Sequence, residues 1–299
     1  MSFNIVTMVW GKMVDWYLDW HIPSLLQPGN LPALKDAKYI LYTDEEERLR
    51  GILSKAITNM KVEVLPLVNG RGKVNDCVKH CAARIQGHLA VFPAEFVFGD
   101  RSLRNLEAAC EKHDLVVYGF PRCRLTAMEE IVPFFRQKKI LTNAQLVSIA
   151  IEHLHRETSP PYVVIKRIAD YAWKVQHLTP NLIVRINEKS LSFINSIPAN
   201  NGLLDHAVPL LCVEAGMSYH YIQESDEVFL IEPTKRRLAS CRTETYEKRE
   251  EWDALAHKNM DFWKKFTATW KGDPSVGSKQ AWRRGYWGRL YNKLASYTD

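Results

Sequence analysis

The first 120 residues alternate between short apolar runs and longer segments with helical periodicity. The apolar runs predict five β-strands, at residues 3–10, 39–43, 61–67, 89–92 and 115–118. The segments between them predict four helices, at residues 12–26, 45–59, 73–86 and 102–112. Strands that alternate with helices of this length are typical of a mostly parallel, doubly wound α/β sheet flanked by helices.

The pattern changes after residue 127. Two further helices are predicted at 128–156 and 162–177, then strands and loops with apolar runs at 182–186, 208–213 and 228–231, then a charged helix at 244–271. We therefore divide the chain into an α/β half at 1–127, a mixed half at 128–243, and C-terminal helices with a basic tail at 244–299.

Composition narrows the class of protein. The 299 residues are 46% hydrophobic and 11% aromatic, which is enough for a large buried core. We expect no transmembrane helix and no signal peptide, because the sequence has neither a long uncharged apolar run nor a basic start followed by one. Six cysteines without a regular spacing favour a reducing, cytoplasmic location.

The net charge of +6 is concentrated near the C-terminus. Residues 279–293 carry five basic side chains and no acid, interleaved with Trp282, Tyr286, Trp287 and Tyr291. In a helix these aromatic residues form i,i+4 pairs beside the basic ones. Such a helix binds an anionic membrane surface or a nucleic-acid backbone; alternatively, its aromatic rings pack on the core and its charges are solvated.

The first two predicted strands indicate a binding site. Gly11 follows the first strand and Asp44 follows the second, so both lie at the carboxyl rim of the sheet, where open α/β sheets bind ligands. Gly11 leaves room for a ligand, and Asp44 accepts hydrogen bonds from it. The sequence therefore predicts a small-molecule site in the N-terminal half.

Common nucleotide-binding and hydrolase motifs are absent from the sequence: it has no GxGxxG, no Walker lysine loop, no GxSxG and no zinc-type CxxC pair. The turn Gly70-Arg71-Gly72 either contacts a phosphate or is a plain turn. Cys77, His80 and Cys81 share neighbouring helical turns, and we interpret them as a half-buried helix face.

Two groups of acids are candidates for chemistry. Glu95 and Asp100 follow the fourth strand, where they can hold a divalent cation, or Asp100 can cap the helix that begins near Ser102. Asp226 and Glu227 precede an apolar strand, where at least one can face a cleft as a base or ligand. Histidines accompany the second group at His206, His220 and, on the charged helix, His257.

Several motifs together resemble a group of bacterial and phage glycosyltransferase-like proteins with a GT-A type N-terminal fold. The similar segments are Met8-Val-Trp-Gly11, residues 22–32, Tyr42-Thr-Asp44, residues 92–103, Ser225-Asp-Glu227, Ala256-His257 and residues 262–266. They span most of the chain and occur in the same order.

The resemblance implies a nucleotide-sugar site in residues 1–127 and an acceptor side in 128–243. It places Asp44 on the nucleotide base, and the donor side includes Val9, Trp10, Gly11, Arg71 and Arg101. The family's Asp-x-Asp, which binds Mg²⁺ or Mn²⁺, reads Pro93-Ala94-Glu95 here. Either Glu95 and Asp100 still bind the metal, or Arg71, Lys73 or Arg101 balances the diphosphate instead.

The function that follows is transfer of a sugar from a nucleotide-sugar to an acceptor hydroxyl. Asp226 is the candidate base and Glu227 the next, with His206, His220 and His257 on the acceptor side. The acceptor is a lipid-linked glycan or polysaccharide at the inner membrane, or a hydroxymethylated base in phage DNA within a host cytoplasm.

Two alternatives stay open. One is a non-catalytic nucleotide-binding or scaffold protein that has lost its metal site. The other is a nucleotidyltransferase, for which a glycine-rich basic loop is expected after the first strand, whereas residues 10–14 hold one glycine and one lysine.

Overall fold

The computed structural model describes residues 2–155, 164–176, 179–197, 204–234, 258–259 and 261–276. The predicted basic tail, His257 and most of the predicted helix at 244–271 lie outside these ranges. The structure describes the backbone of His206, which lies in a helix, but not its side chain.

Thirteen strands and nine α-helices are defined in the described residues. The strands are β1 (Phe3–Val9), β2 (Ala37–Thr43), β3 (Lys61–Pro66), β4 (His88–Val91), β5 (Val97–Phe98), β6 (Leu115–Phe120), β7 (Arg122–Arg124), β8 (Val164–Ala169), β9 (Ala172–Gln176), β10 (Thr179–Arg185), β11 (Tyr219–Tyr221), β12 (Leu230–Thr234) and β13 (Thr267–Lys271). The α-helices are α1 (Met13–Trp16), α2 (Ile22–Leu25), α3 (Glu46–Ala56), α4 (Val74–Ala82), α5 (Ser102–Cys110), α6 (Ala127–Arg136), α7 (Asn143–Glu152), α8 (Glu188–Ser196) and α9 (Leu204–Glu214). A π-helical turn, Tyr17–His21, joins α1 to α2.

A seven-stranded sheet with the order β11-β6-β10-β4-β1-β2-β3 forms the centre of the fold. Six of its strands run the same way, and β10 is antiparallel to both of its neighbours. This confirms the predicted α/β class with a mostly parallel sheet. Strands from the C-terminal part of the chain, β10 and β11, complete the sheet begun by the N-terminal part.

Helices cover both faces of this sheet. One apolar cluster joins β1, β2 and β6 to the helical segment 13–25, α3 and α5 through residues such as Tyr17, Leu49 and Leu106. The other joins the opposite face to α4, α8 and α9, with Val78, Ile194 and Cys212 among its members. Burial on both faces explains why every residue of β1 is buried.

A third apolar cluster packs α6 and α7 against two small sheets. These sheets have the strand orders β5-β12-β7 and β13-β9-β8. Trp173 of β9 and Trp270 of β13 pair across the second sheet and are both buried. The third cluster also contains Trp20 and Val97, and so it joins the helix that follows β1.

Several predicted elements differ from the structure. The predicted helix at 128–156 is two helices, α6 and α7, and α8 lies in the stretch predicted as strands and loops. Where the structure describes residues 162–177, they form the hairpin β8–β9 and not the predicted helix. Trp173 and Val175 are buried and Lys174 between them is exposed, which is the two-residue period of a strand. The predicted strand at 208–213 lies within α9, because a short apolar run does not distinguish a buried helix from a strand. Residues 267–271, predicted as helix, form β13, which pairs with β9.

None of the helices among the described residues combines the length and the apolar character needed to cross a bilayer.

Candidate functional site

The carboxyl ends of β1 and β2 lie side by side. Val9 is the register partner of Thr43, so the residues that follow, Trp10-Gly11 and Asp44, leave the sheet at the same level. Gly11 has a φ of +55°, a left-handed conformation in which glycine has no steric penalty. The chain therefore turns sharply from β1 into α1 at the rim.

A tight basic turn follows β3 at the same rim. Asn69, Gly70 and Gly72 all have positive φ values, which folds the turn back toward β2. The Asn69 side chain donates to Asp76 of α4 over 2.9 Å, which fixes the turn against that helix. Arg71, between the two glycines, is thereby directed at the end of β2.

Arg71 and Asp44 form an ion pair above Gly11. Nε and Nη2 of Arg71 lie 2.6 and 2.5 Å from Oδ2 of Asp44. A Cβ atom on Gly11 would lie 3.7 Å from Nη1 of Arg71. The arginine side chain is 64% exposed and the aspartate 26%, so the pair is open to a ligand. Of the predicted donor residues, Val9, Trp10, Gly11, Asp44 and Arg71 are brought together.

Arg101 and Asp100 are placed elsewhere. Oδ1 of Asp100 accepts a hydrogen bond from the Gly29 amide over 2.7 Å, and Arg101 packs so closely on Gly29 that a Cβ there would lie 2.5 Å from Arg101 Cγ. Gly29 follows α2, which ends about 18 Å from the start of α1 along the helix axis. Arg101 is therefore not brought to the Arg71–Asp44 pair.

The expected cap of α5 comes from a distant residue. Oδ1 of Asn30 accepts the Leu103 amide over 3.0 Å, and its Nδ2 donates to the Ser24 and Gly99 carbonyls. The prediction that Asp100 caps α5 is wrong, because its carboxylate is engaged by Gly29. Sequence has no signal for a cap supplied from 73 residues away.

Glu95 and Asp100 contact different levels of the helix that follows β1. The segment that carries them runs along the helix after β1: Trp20 Nε1 donates to the Glu95 carbonyl, and Gly29 donates to the Asp100 side chain. Along the axis of this helix, Trp20 and Leu25 are about 7 Å apart, and a further turn separates Leu25 from Gly29. The two contact points are therefore well separated along the helix. Among the described residues, neither acid belongs to a group of three close metal-ligating side chains.

The second acidic group lies beside β11, at one edge of the large sheet. Nζ of Lys271 lies 2.9 Å from Glu224 Oε2 and 3.2 Å from Asp226 Oδ2. These contacts raise the pKa of Lys271, with the Glu224 hydrogen bond the larger cause and the Asp226 bond the next. Glu227 is turned the other way, and its Oε1 lies 3.4 Å from His220 Nε2.

His220 and Glu227 lie toward the amino end of β6. His220 is the register partner of Val116, near the start of that strand, and its ring stacks on His113 with centroids 5.2 Å apart. Glu227 is fixed by its carbonyl, which accepts from Asn105 of α5 over 2.6 Å. The predicted pair Asp226 and Glu227 therefore points in two directions.

A small cleft lies between this loop and the carboxyl half of β6. Its volume is about 10 Å³, room for about one water molecule, and it is lined by Gly119, Ile222, Gln223, Glu224, Ser225, Val228, Ala268 and Trp270. Strands β6, β10 and β4 separate β11 from β1, a distance of about 19 Å across four strand spacings. The predicted donor residues and the loop that carries Glu224 and Asp226 thus lie at opposite ends of the large sheet.

Two residues of this second group, Lys271 and Glu224, are not predicted from the sequence. Lys271 is missed because its segment is predicted as a helix, although the alternation Thr267-Ala-Thr-Trp-Lys271 is a strand signal. The interpretation of α4 is confirmed: Cys77 and Cys81 are buried, and burial raises the pKa of the Cys81 thiol to about 12.

The comparisons with known proteins show similarity of fold only. No protein-family model and no curated protein sequence matches the chain. Staphylococcus aureus TarS in complex with UDP-GlcNAc is 10% identical over 87% of this chain and 65% of TarS, with a TM-score of 0.48. The inositol-1-phosphate CTP transferase of T. maritima is 9% identical over 77% of this chain and 88% of its own, with a TM-score of 0.42.

HddC from Yersinia pseudotuberculosis is 9% identical over 77% of this chain and 93% of its own, with a TM-score of 0.38. In the TarS structures the match spans between 22% and 65% of the TarS chain, less than two thirds in each case. The residues at the rim, and not these likenesses, carry the functional proposal.

Proposed function

We propose that this protein is a nucleotide-sugar-dependent glycosyltransferase whose donor binds at the carboxyl rim of β1, β2 and β3. The observation that carries the proposal is the exposed Arg71–Asp44 ion pair above Gly11. A nucleoside diphosphate offers N–H groups on its base, which a carboxylate accepts, and phosphate oxygens, which a guanidinium binds in bidentate fashion. Asp44 and Arg71 supply both groups once the ion pair opens, because the ribose separates the base from the diphosphate.

Further positive charge flanks this pair. Lys12 is exposed directly after Gly11, and Lys73 precedes the first turn of α4. The amino end of α4 adds the partial positive charge of the helix dipole. A diphosphate bound beside Arg71 lies within this field.

We propose that these cationic groups balance the leaving diphosphate in place of a metal. The Asp100 side chain accepts from Gly29 and the Glu95 carbonyl accepts from Trp20 at a different level of the helix, which supports a donor site in which these two acids do not share a Mg²⁺ or Mn²⁺ ion. Arg71 and Lys73 then neutralise the diphosphate, since guanidinium and ammonium groups bind phosphate directly. Arg101, the third cation considered from the sequence, is held at Gly29.

The acceptor is proposed to bind near the cleft beside β11. The anomeric carbon of the donor is bonded to the diphosphate beside Arg71, and β11 lies about 19 Å from β1, so transfer requires the loop that carries Glu224 and Asp226 to close over the donor. Asp226 then takes the proton of the acceptor hydroxyl as its oxygen attacks the anomeric carbon and the nucleoside diphosphate leaves. Lys271, which contacts both acids, holds them in place.

Two acceptor classes follow from the basic tail at 279–293. A tail on an anionic membrane surface favours a lipid-linked glycan or polysaccharide, and a tail on nucleic acid favours a hydroxymethylated base in DNA. Both place the enzyme in a cytoplasm, on the inner face of the membrane in the first case. Salt-dependent binding of DNA fragments, compared with binding of anionic vesicles, separates the two.

Thermal unfolding with nucleotides tests the donor site. UDP, GDP and a panel of nucleotide-sugars are each added with and without Mn²⁺. A ligand at about 100 times its Kd stabilises the folded state by about 2.7 kcal/mol, which shifts Tm by several degrees. We expect a shift with one nucleotide class that persists without Mn²⁺. A shift that requires Mn²⁺ contradicts the cation-balanced diphosphate, and no shift with any nucleotide contradicts the donor site.

A non-catalytic protein is the second candidate, favoured by the lack of a second acid in Pro93-Ala94-Glu95. It predicts a thermal shift with nucleotides but neither hydrolysis nor transfer with any acceptor. Release of nucleoside diphosphate from the stabilising donor decides between the two.

A further inference from the structure

We propose that Glu130, Glu152 and His153 form a binding site for one Zn²⁺ ion, separate from the donor site. One ligand atom from each residue lies within 4.8 Å of the other two. In a tetrahedral zinc site with bonds of about 2.0–2.2 Å, ligand atoms lie roughly 3.5 Å apart. Side-chain adjustment alone therefore brings these three groups to zinc-binding distances.

The site is built by the facing ends of two helices. Glu130 lies in the first half of α6, Glu152 is the last residue of α7, and His153 follows it. The backbone fixes this junction, because the Arg124 amide donates to the His153 carbonyl over 2.7 Å and the Arg124 side chain donates to the Glu152 carbonyl over 2.8 Å. The main chain beneath two of the three ligands is thus held in place.

The imidazole of His153 is oriented on both sides. Nδ1 lies 2.8 Å from the Thr126 hydroxyl, and Nε2 lies 2.6 Å from Glu130 Oε1. When Nε2 binds a metal, Nδ1 carries the proton and donates to Thr126, which is the second hydrogen bond that metal-binding histidines usually make. Thr126 is therefore a positioning residue for His153.

Charge and access also suit a cation. Glu130 and Glu152 supply two negative charges, which outweigh the single Arg124 guanidinium that donates to the Glu152 carbonyl. The His153 side chain is 15% exposed and that of Glu130 is 42% exposed, so an ion enters from solvent beside Glu130.

The donor set favours zinc over magnesium. One imidazole nitrogen and two carboxylate oxygens leave a fourth tetrahedral position for water, whereas Mg²⁺ requires octahedral oxygen ligands. The site lies on α6 and α7, which pack on the third apolar cluster through residues such as Ile131 and Leu146. It shares no residue with the rim that carries Asp44.

Titration calorimetry of the full chain with zinc chloride, after removal of metals by EDTA, tests the proposal without any nucleotide. We expect one Zn²⁺ per chain, and at least about 10-fold weaker binding in Glu130→Gln and in His153→Gln. Thr126→Ala is expected to weaken binding by about 10-fold through loss of orientation. Glu129→Gln, which removes the neighbouring charge on the same helix, is the matched control and is expected to bind as the wild type does.

Three results overturn the proposal. The first is no saturable zinc binding by the wild type. The second is undiminished binding in both Glu130→Gln and His153→Gln, which assigns the metal to other groups such as cysteines. The third is equal weakening in Glu129→Gln and Glu130→Gln, which indicates only general charge attraction. Circular dichroism of the metal-free variants verifies that they fold. Glu95→Gln, which changes an acid outside this site, is expected to keep full zinc affinity.

Discussion

Arg71 is bound to Asp44 through two nitrogens that converge on one carboxylate oxygen, Oδ2, at 2.6 and 2.5 Å. This contact joins the turn after β3 to the end of β2 and passes above Gly11. Because both side chains are substantially exposed, the pair contributes only about 0–1 kcal/mol to folding. Because the ion pair contributes little to stability, its opening for the proposed donor costs little free energy.

Substitution of this pair is expected to weaken nucleotide binding with little effect on stability. Asp44→Ala and Arg71→Lys should each raise the Kd of the stabilising nucleotide by about 10-fold or more, because one loses the acceptor and the other loses bidentate phosphate recognition. The free energy of unfolding should change by less than about 1 kcal/mol. Calorimetric titration and urea unfolding measure the two quantities.

Asp170→Asn is the control for this prediction. Asp170 forms an exposed ion pair with Arg167 on the β8–β9 hairpin, so its loss removes a comparable contact away from the rim. It should leave nucleotide affinity unchanged. Unchanged affinity in Asp44→Ala as well removes Asp44 from the donor site.

Asp226→Asn is expected to lower turnover with little change in donor affinity. The amide cannot take a proton from an acceptor hydroxyl, whereas the donor residues lie about 19 Å away across the sheet. A loss of about 100-fold or more in kcat, with KM for the donor unchanged, is the expected result for a general base. Glu227→Gln serves as the comparison, and full activity in Asp226→Asn rejects that residue as the base.

Two glycines are expected to respond to alanine in opposite directions. A Cβ on Gly29 would lie 2.7 Å from the Arg101 backbone nitrogen, so Gly29→Ala forces the backbone apart and should cost about 1–3 kcal/mol. Gly51 is exposed within α3, and a Cβ added there would meet nothing within 4 Å beyond its own turn of helix, so Gly51→Ala should stabilise the fold by about 0.5–1 kcal/mol. Denaturant unfolding of both variants checks the signs, and destabilisation by Gly51→Ala contradicts this packing.

His21 is expected to make folding sensitive to acid. It is fully buried, its Nδ1 donates to the Phe96 carbonyl over 2.8 Å, and burial lowers its pKa from 6.5 to about 4. Between these values the unfolded chain binds a proton that the folded chain does not, so stability falls as the pH is lowered from 6.5 toward 4. The loss from this residue is about 3 kcal/mol.

His21→Gln tests that assignment. Glutamine keeps an N–H donor near Phe96 but does not titrate, so the variant should lose less stability than the wild type between pH 6.5 and pH 4. Urea unfolding at a series of pH values measures the difference. An identical slope in both proteins assigns the acid sensitivity to other groups, of which His88, whose pKa is also lowered by burial, is the first to examine.

Local sequence patterns are sufficient to predict the α/β class and the meeting of Gly11 and Asp44 at one edge of the sheet. The alternation of apolar strands and amphipathic helices up to residue 120 is local information, and the five predicted strands correspond to β1, β2, β3, β4 and β6. Gly11 and Asp44 are predicted to meet because consecutive parallel strands end at one edge, and the register of Val9 with Thr43 places them there.

Contacts between distant segments resolve what those local patterns leave ambiguous. The runs at 162–177 and 208–213 carry apolar residues compatible with either helix or strand, and their partners, β13 for β9 and the large sheet for α9, settle the choice. The roles of Asp100 and Asn30 depend on contacts about 70 residues away in sequence, and the contact of Lys271 with Asp226 depends on strand pairing. Hydrogen bonds between residues distant in sequence leave no periodic signal, so only the folded chain reveals them.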